Sequence, residues 1–282
     1  MRKKIMIPDL YAKYEKGEPI TMLTAYDYPM ALLEEKAGVD IILVGDSMGM
    51  TVYGLDTTLP VTLDMIIRHA QAVRRGAPTA FIVGDMPYMT YQVNKDEAIR
   101  NAGRLMAEAG VDAIKLEGGR EMAETIAAIV KATIPVMGHI GLTPQSISQL
   151  GGFKAQGRTA ESALKLIEDA KALEAAGCFS ILVEAVPPEV NKAIVETVKI
   201  PIISLGSGVY GAGQCLIVHD MLGFFDRFTP KFVKKYASLN AEIVKALEAY
   251  VADVKEKNFP GPEHVYPMSQ EEVEKFLAEL KK

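Results

Sequence analysis

The stretch EAGVDAIKL at residues 108–116 decides the fold of this chain, because its pattern recurs as KAGVDIILV at 36–44 and as AAGCFSILV at 175–183. In each copy a glycine precedes a short apolar run. A glycine that ends a helix adopts the left-handed backbone conformation without a side-chain clash, and a continuous apolar run is typical of a strand covered on both faces. Each copy therefore predicts a helix that ends at the glycine and a buried strand that follows it.

The three glycines, Gly38, Gly110 and Gly177, stand 72 and 67 residues apart, which leaves room for a further strand in each gap. Apolar runs there and at both ends bring the predicted strands to eight: 21–25, 41–44, 79–83, 113–116, 135–140, 180–183, 201–205 and 214–218. Eight strands that alternate with helices over about 250 residues predict an α/β fold, the (β/α)8 TIM barrel with a parallel eight-stranded core.

With 282 residues, 49% of them hydrophobic, the chain can bury a large core, which excludes disorder over most of its length. We expect a single barrel domain over 1–282, in which 229–282 form a C-terminal helical extension. Thr229, as an N-cap before Pro230, predicts a long helix that runs towards Asn258.

A last short helix is predicted after Ser269, where SQEE has the form of a capping box. Its apolar residues have helical spacing: Val273, Phe276, Leu277 and Leu280. Packing on the same subunit and contact with another subunit both remain open for this stripe.

The net charge of −5 at pH 7, without a basic cluster, disfavours a nucleic-acid or anionic-membrane partner. Cys178 and Cys215 lie in apolar runs, and we expect them to be buried and unpaired, as in a reducing cytosol.

No export signal is predicted, because Pro8 and Asp9 interrupt the N-terminal apolar stretch early. The uncharged run 200–218 is rich in glycine and predicts strand, loop and strand rather than a membrane span.

Charged residues follow the predicted strands where a barrel of this kind carries its chemistry, at the carboxyl ends. Asp46 follows the second strand, Asp85 the third, Lys115 and Glu117 end the fourth, and Glu184 ends the sixth. His139 of the fifth strand reaches the same rim and is expected behind these residues; His219 and Asp220 are weaker candidates from the eighth.

Isolated charges at the ends of buried strands are costly unless they are paired or coordinate a metal. Asp46 and Asp85 therefore suggest a hard divalent cation such as Mg²⁺, which typically takes one or two carboxylates plus waters and substrate oxygens. Such a cation can chelate a 2-oxo acid and stabilise the enolate that forms when a proton leaves the adjacent carbon. Lys115 could then contact the negative oxygens of the substrate, and Glu184 could act as the base.

The segment GSGVYG at 206–211 matches G-x-G-x-x-G, but it follows the seventh strand and precedes another strand, which disfavours a dinucleotide site. A tight barrel loop is favoured, and a phosphate site stays open. We expect His69 to be a solvated surface residue; His264 is undecided.

Longer motifs surround these residues: TAYDYP at 24–29, GDSMGM at 45–50, GDMP at 84–87, KLEGG at 115–119, GHIGLTPQ at 138–145, GGFK at 151–154, QGR at 156–158 and FTPKF at 228–232. Through them the chain resembles the ketopantoate hydroxymethyltransferase family over nearly its whole length. The loop after the seventh strand departs from the family, which often reads GIGAG where this chain has SLGSG at 204–208.

The resemblance implies a Mg²⁺-dependent transfer from 5,10-methylenetetrahydrofolate to 3-methyl-2-oxobutanoate, giving 2-dehydropantoate for pantothenate and coenzyme A. It implies a cytoplasmic homo-oligomer, commonly a homodecamer. The implied metal ligands are Asp46, Asp85 and Glu117, the implied 2-oxo acid site is Asp46, Ser47, Asp85 and Lys115, and the implied proton acceptor is Glu184. The folate-contacting residues stay open among Tyr26, Tyr28, Phe153 and Tyr210.

Two other functions are alternatives for this sequence. The phosphoenolpyruvate mutase and isocitrate lyase group uses related chemistry on similar barrels, but its members usually carry a catalytic cysteine after the fourth strand, where this chain reads KLEGG at 115–119. A non-catalytic barrel is disfavoured because the acids and the lysine occur together.

Overall fold

The computed structural model describes residues 2–282, and in it eight parallel strands close into a barrel in sequence order. The strands are β1 Ile20–Thr24, β2 Ile41–Val44, β3 Phe81–Asp85, β4 Ala113–Glu117, β5 Val136–Gly141, β6 Ser180–Glu184, β7 Ile202–Leu205 and β8 Gly213–Leu216. Pairing of β1 with β8 closes the barrel, with Met22 opposite Cys215. The predicted (β/α)8 fold is confirmed.

Twelve α-helices are present in residues 2–282: α1 Ile7–Glu15, α2 Tyr28–Ala37, α3 Met48–Thr51, α4 Leu63–Gly76, α5 Lys95–Arg104, α6 Ala123–Lys131, α7 Ile147–Leu150, α8 Ala160–Ala175, α9 Pro188–Thr197, α10 Val218–Met221, α11 Leu239–Glu256 and α12 Gln270–Leu280. A π-helical turn, Leu105–Ala109, extends α5, and short 3-10 turns occupy Arg120–Met122, Pro144–Ser146 and Pro262–His264.

The recurring sequence pattern ends a helix at its glycine and starts a strand after it, as expected. Gly38, Gly110 and Gly177 all have left-handed backbones, with φ of 82°, 68° and 95°. The aspartate two residues after each of the first two glycines lies at the amino end of the barrel, where Asp40 pairs with Lys13 at 2.7 Å and Asp112 with Lys4 at 2.5 Å. These aspartates stabilise the end of the barrel that carries no candidate chemistry.

Two apolar clusters form the core. The inner cluster fills the barrel with side chains such as Met22, Leu43 and Val83, and Ile5 and Leu10 of the N-terminal segment join it. The outer cluster packs the helices against the sheet and contains the buried Cys178, whereas Cys215 belongs to the inner cluster. Both cysteines are buried and unpaired within the described chain, as expected.

The C-terminal part differs from expectation at one boundary. The helix predicted from Thr229 begins only at Leu239, after Ser238, so the proposed cap at Thr229 was wrong. Local cap signals are overridden there because Pro230 and Phe232 line a cavity of the barrel. Two compact units result, one ending at Tyr236 and one starting at Ala237.

In the second unit the helix predicted after Ser269 is confirmed: the Ser269 hydroxyl accepts a hydrogen bond from the Glu272 amide at the start of α12. Phe276, Leu277 and Leu280 of the predicted stripe are exposed.

Across residues 2–282, none of the helices has the length and apolar character that crossing a membrane requires.

Candidate active site

One cavity of about 380 Å³ opens at the carboxyl ends of the strands. Seven of the site residues suggested by the sequence line it: Asp46, Ser47, Asp85, Lys115, Glu117, His139 and Glu184. Because parallel strands end at one rim, side chains separated by up to 138 positions in the sequence meet there. Asp220 of α10 also lines the cavity, whereas the neighbouring His219 does not and stacks on Phe224 instead.

Asp46, Asp85 and Lys115 form one connected group. The Asp46 amide donates a hydrogen bond to Asp85 Oδ2 at 3.0 Å, and Lys115 Nζ lies 2.8 Å from Asp85 Oδ1. This contact is an ion pair between two buried groups. All three side chains are buried, and both oxygens of Asp85 have a partner within the group.

Carboxyl groups outnumber the single ammonium of Lys115 in this part of the cavity, and they shift one another's pKa values. Burial, then the charges of Asp85 and Glu117, raise the pKa of Asp46 well above its usual range. Burial raises the pKa of Glu117 to about 7. Burial alone would lower the pKa of Lys115, but the neighbouring carboxylates raise it above its usual value, so the lysine stays charged. One ammonium faces three carboxyl groups, and a divalent cation would balance the excess negative charge.

His139 connects the acidic group to the expected base. Its Nε2 lies 3.1 Å from Glu184 Oε2, and its Nδ1 lies 3.4 Å from Glu117 Oε1. Burial, followed by the charge of Lys115, lowers the pKa of His139, which favours the neutral ring. Burial raises the pKa of Glu184, which is the direction that a general base near neutral pH requires.

The loop between β7 and β8 supports this side of the cavity. Ser207 is buried, donates a hydrogen bond to the Val183 carbonyl at 2.8 Å and accepts one from the Val186 amide at 3.2 Å. Its hydroxyl therefore holds the backbone before and after Glu184. The loop joins β7 to β8, as the sequence predicts.

The mouth of the cavity is apolar and aromatic. It is lined by Pro144, Phe153, Phe225, Phe228, Pro230 and Phe232, with Lys231 beside them. Of the four aromatic residues left open by the sequence, Phe153 lines this cavity, whereas Tyr28 and Tyr210 do not. Tyr26 is buried and its hydroxyl lies 2.7 Å from Ser47 Oγ.

The structure differs from the sequence prediction in the burial of His69 and in the contacts of Gln145 and Tyr91. His69 is half-buried rather than solvated: Nδ1 contacts the Tyr26 carbonyl and Nε2 lies 2.9 Å from the Tyr53 hydroxyl. Gln145 and Tyr91 are buried beside Asp46 and Glu117, and the sequence by itself predicts no role for them. Gln145 stands in one of the longer motifs, which was the available signal, but no local pattern assigns its contacts.

No cluster of three or more His, Cys, Asp and Glu side chains within residues 2–282 is close enough to form a complete metal cage. Asp46 and Asp85 instead offer a partial set of oxygen ligands. That set suits Mg²⁺, which keeps several waters or substrate oxygens and needs one or two carboxylates. The donor atoms and the charge balance of the cavity thus fit a divalent cation completed by substrate.

Comparison with known proteins identifies the chain's relatives. A family model described as ketopantoate hydroxymethyltransferase matches residues 4–262. The 3-methyl-2-oxobutanoate hydroxymethyltransferase of Alkaliphilus metalliredigens is 53% identical over 283 residues, covering 100% of both chains. The enzyme of that name from Heliobacterium modesticaldum is 51% identical over 271 residues, covering 96% of this chain and 98% of its own.

Solved structures with a similar fold are more distant in sequence. A phosphonopyruvate hydrolase in complex with oxalate and Mg²⁺ has a TM-score of 0.61 at 14% identity, covering 98% of this chain and 96% of its own. A phosphoenolpyruvate phosphomutase from Streptomyces platensis has a TM-score of 0.62 at 16% identity, with coverage of 98% and 97%. At this identity the similarity concerns the fold alone.

Proposed function

The chain belongs to the ketopantoate hydroxymethyltransferase family, and on that premise we propose that it transfers a hydroxymethyl group from 5,10-methylenetetrahydrofolate to 3-methyl-2-oxobutanoate. The reaction consumes one water molecule and gives tetrahydrofolate and 2-dehydropantoate, the latter for pantothenate and coenzyme A biosynthesis. The observation that carries the proposal is one cavity in which Asp46, Asp85 and Lys115 form a connected charged group while Glu184 stands apart from them.

The 2-oxo acid is held at the acidic end of the cavity. Asp46 and Asp85 supply the metal ligands, with Glu117 as a third acid near them, and Mg²⁺ is the proposed ion. When bound, the ion would polarise the keto oxygen and stabilise the negative charge that develops on it. Lys115 and Ser47 bind the substrate oxygens, and the buried Lys115 ammonium adds positive charge where the enolate forms.

Glu184 takes the proton from C3 of the 2-oxo acid. His139, 3.1 Å from one of its oxygens, orients the carboxylate without adding a charge, because burial favours the neutral imidazole. A base with a raised pKa accepts this proton more readily at neutral pH.

The one-carbon donor enters at the aromatic mouth. A pterin ring is flat and aromatic, so Phe153 and Phe232 offer faces for it, and Lys231 offers a cation for the acidic tail of a folate. This placement assigns the donor to the open end and the 2-oxo acid to the buried end.

Proton NMR of 3-methyl-2-oxobutanoate in D₂O tests the proposal. With protein and Mg²⁺ we expect exchange at C3, and after addition of methylenetetrahydrofolate a new hydroxymethyl signal. Exchange without product would contradict the proposed donor. Absence of exchange, with cleavage of a 2-hydroxy diacid instead, would favour lyase chemistry of the kind known for similar barrels.

The variant Glu184→Gln separates the roles. We expect loss of C3 exchange with nearly unchanged binding of Mg²⁺ and the 2-oxo acid, because the amide keeps the shape of the side chain but cannot accept the proton. The matched control is Glu189→Gln, at an exposed position of α9. Loss of metal binding in Glu184→Gln would contradict the separation of roles.

We further propose a cytoplasmic homodecamer. The two buried thiols suit a reducing compartment. The exposed apolar residues of α11, including Val244, Leu247 and Val251, offer a surface for contact between subunits.

A further inference from the structure

Gln145 is a buried amide that lies between two carboxylates of the cavity. It stands in the 3-10 turn Pro144–Ser146 after β5, and 5% of it is exposed. We propose that Gln145 is a positioning residue for the metal site, which holds the Asp46 and Glu117 carboxylates in the orientation that binds the cation. The inference rests on the proposed function and adds a residue to which the family resemblance assigned no role.

The amide nitrogen of Gln145 serves two acceptors. Its Nε2 donates to Asp46 Oδ2 at 2.9 Å and to the carbonyl oxygen of Met86 at 3.0 Å. Both hydrogens of the NH₂ group are therefore used. One oxygen of Asp46 is engaged, so the second is the one left for a cation.

The other end of the amide is held by Tyr91. The Tyr91 hydroxyl donates to Gln145 Oε1 at 2.7 Å and accepts a hydrogen bond from the Glu117 amide at 3.2 Å. The Gln145 backbone amide donates to Glu117 Oε2 at 3.0 Å. Since nitrogen and oxygen of the side chain have different partners, a flipped amide would place its oxygen against the Asp46 carboxylate, and a single orientation results.

A neutral donor suits this position for an electrostatic reason. A lysine or arginine in its place would neutralise Asp46 and compete with the cation for its charge. The amide satisfies one carboxylate oxygen and leaves the negative charge in place. Hydrogen-bond partners behind metal ligands fix ligand orientation, and their loss typically weakens metal binding about 10- to 100-fold.

Titration of the purified protein with Mn²⁺, followed by electron paramagnetic resonance, tests the proposal. We expect Gln145→Met, which keeps the length of the side chain, to raise the Mn²⁺ dissociation constant about 10- to 100-fold. Tyr91→Phe removes the hydroxyl that restrains the Gln145 amide and accepts from the Glu117 backbone amide but leaves the Gln145–Asp46 hydrogen bond in place, and a smaller increase is expected. Gln149→Met, the same substitution at an exposed site four residues further on, should match wild type.

A merely structural role would lower the melting temperature of Gln145→Met and leave its Mn²⁺ affinity at the wild-type value, and that result would overturn the inference. If Gln145→Met does not fold, Tyr91→Phe decides in the same way: unchanged affinity overturns the inference, and weakened affinity supports it.

The same experiments separate this inference from the proposed function. Wild-type protein that forms 2-dehydropantoate, with wild-type Mn²⁺ affinity in Gln145→Met, would contradict the inference alone. Weakened Mn²⁺ binding in Gln145→Met, together with wild-type protein that binds Mn²⁺ but forms no product, would contradict the proposed function alone.

Discussion

Lys115 places a buried ammonium among the carboxylates of the cavity, and its removal should cost stability as well as binding. Lys115→Met leaves Asp85 buried without the ammonium now 2.8 Å away. Removing one partner of a buried ion pair costs about 3–5 kcal/mol of unfolding free energy. Because the chain contains no tryptophan, circular dichroism in urea is the suitable measurement.

The control for this prediction is Lys171→Met, which removes an exposed pair with Glu168. Exposed pairs contribute little because water and salt screen them. A similar, small effect of both substitutions would show that the Lys115 pair is not a stabilising contact.

The buried Glu34 of α2, which does not line the cavity, should make the stability of the fold depend on pH. It is 4% exposed, and neither carboxyl oxygen has a hydrogen-bond partner among residues 2–282. Burial, with a smaller effect of Asp27, raises the pKa of Glu34 from 4.5 to about 8. The folded chain therefore holds this proton more tightly than the unfolded chain, and stability from Glu34 is fully present below pH 4.5 and lost as pH rises to about 8.

Glu34→Gln should remove that slope. We expect the variant to be more stable than wild type by a few kcal/mol at pH 8.5 and close to wild type near pH 5. Urea unfolding at both pH values measures the difference, with Glu18→Gln at an exposed position as control. A gap between Glu34→Gln and wild type that does not widen with pH would contradict the assignment.

At the scale of elements, Gly206 at the end of β7 permits the close approach of Phe232. Its φ is +67°, and a Cβ built there would lie 2.5 Å from the Phe232 ring. Gly206→Ala should lower the free energy of unfolding by about 1–2 kcal/mol because of the left-handed backbone. The clash between the new Cβ and the Phe232 ring should lower it by a further ~1–3 kcal/mol. It should also raise KM for the folate donor, because Phe232 lines the mouth of the cavity.

Gly54→Ala is the matched control for this prediction. Gly54 has a φ of +69°, and a Cβ built there meets no heavy atom of the described chain within 4 Å. It therefore carries the backbone strain alone. Equal losses of stability in the two variants, measured by urea unfolding, would exclude the Phe232 contact as a stabilising feature.

For the whole molecule, the proposed homodecamer predicts a mass about ten times 30.7 kDa by light scattering. Leu247 lies in the exposed apolar row of α11 and is 59% exposed. Leu247→Asp should reduce the assembly to smaller species, since a charge in an apolar contact must be desolvated. Ala249→Asp, on the opposite side of the helix, should keep the full mass; a monomeric wild-type chain would contradict the prediction.

The amino-acid sequence by itself determined the order of the elements and the members of the acidic cluster. Glycine before an apolar run is a local signal, and parallel strands bring their carboxyl ends to one rim, so Asp46, Asp85, Lys115 and Glu184 could be grouped without coordinates. The confirmed resemblance to the family depends on the same motifs.

Only the tertiary structure decided the contacts between distant segments. Gln145 meets Asp46 across 99 positions, His139 stands between Glu117 and Glu184, and the helix expected at Thr229 starts at Leu239. Periodicity and cap signals depend on neighbours within a few residues, whereas these features depend on which side chains the closed barrel places within hydrogen-bond or packing distance.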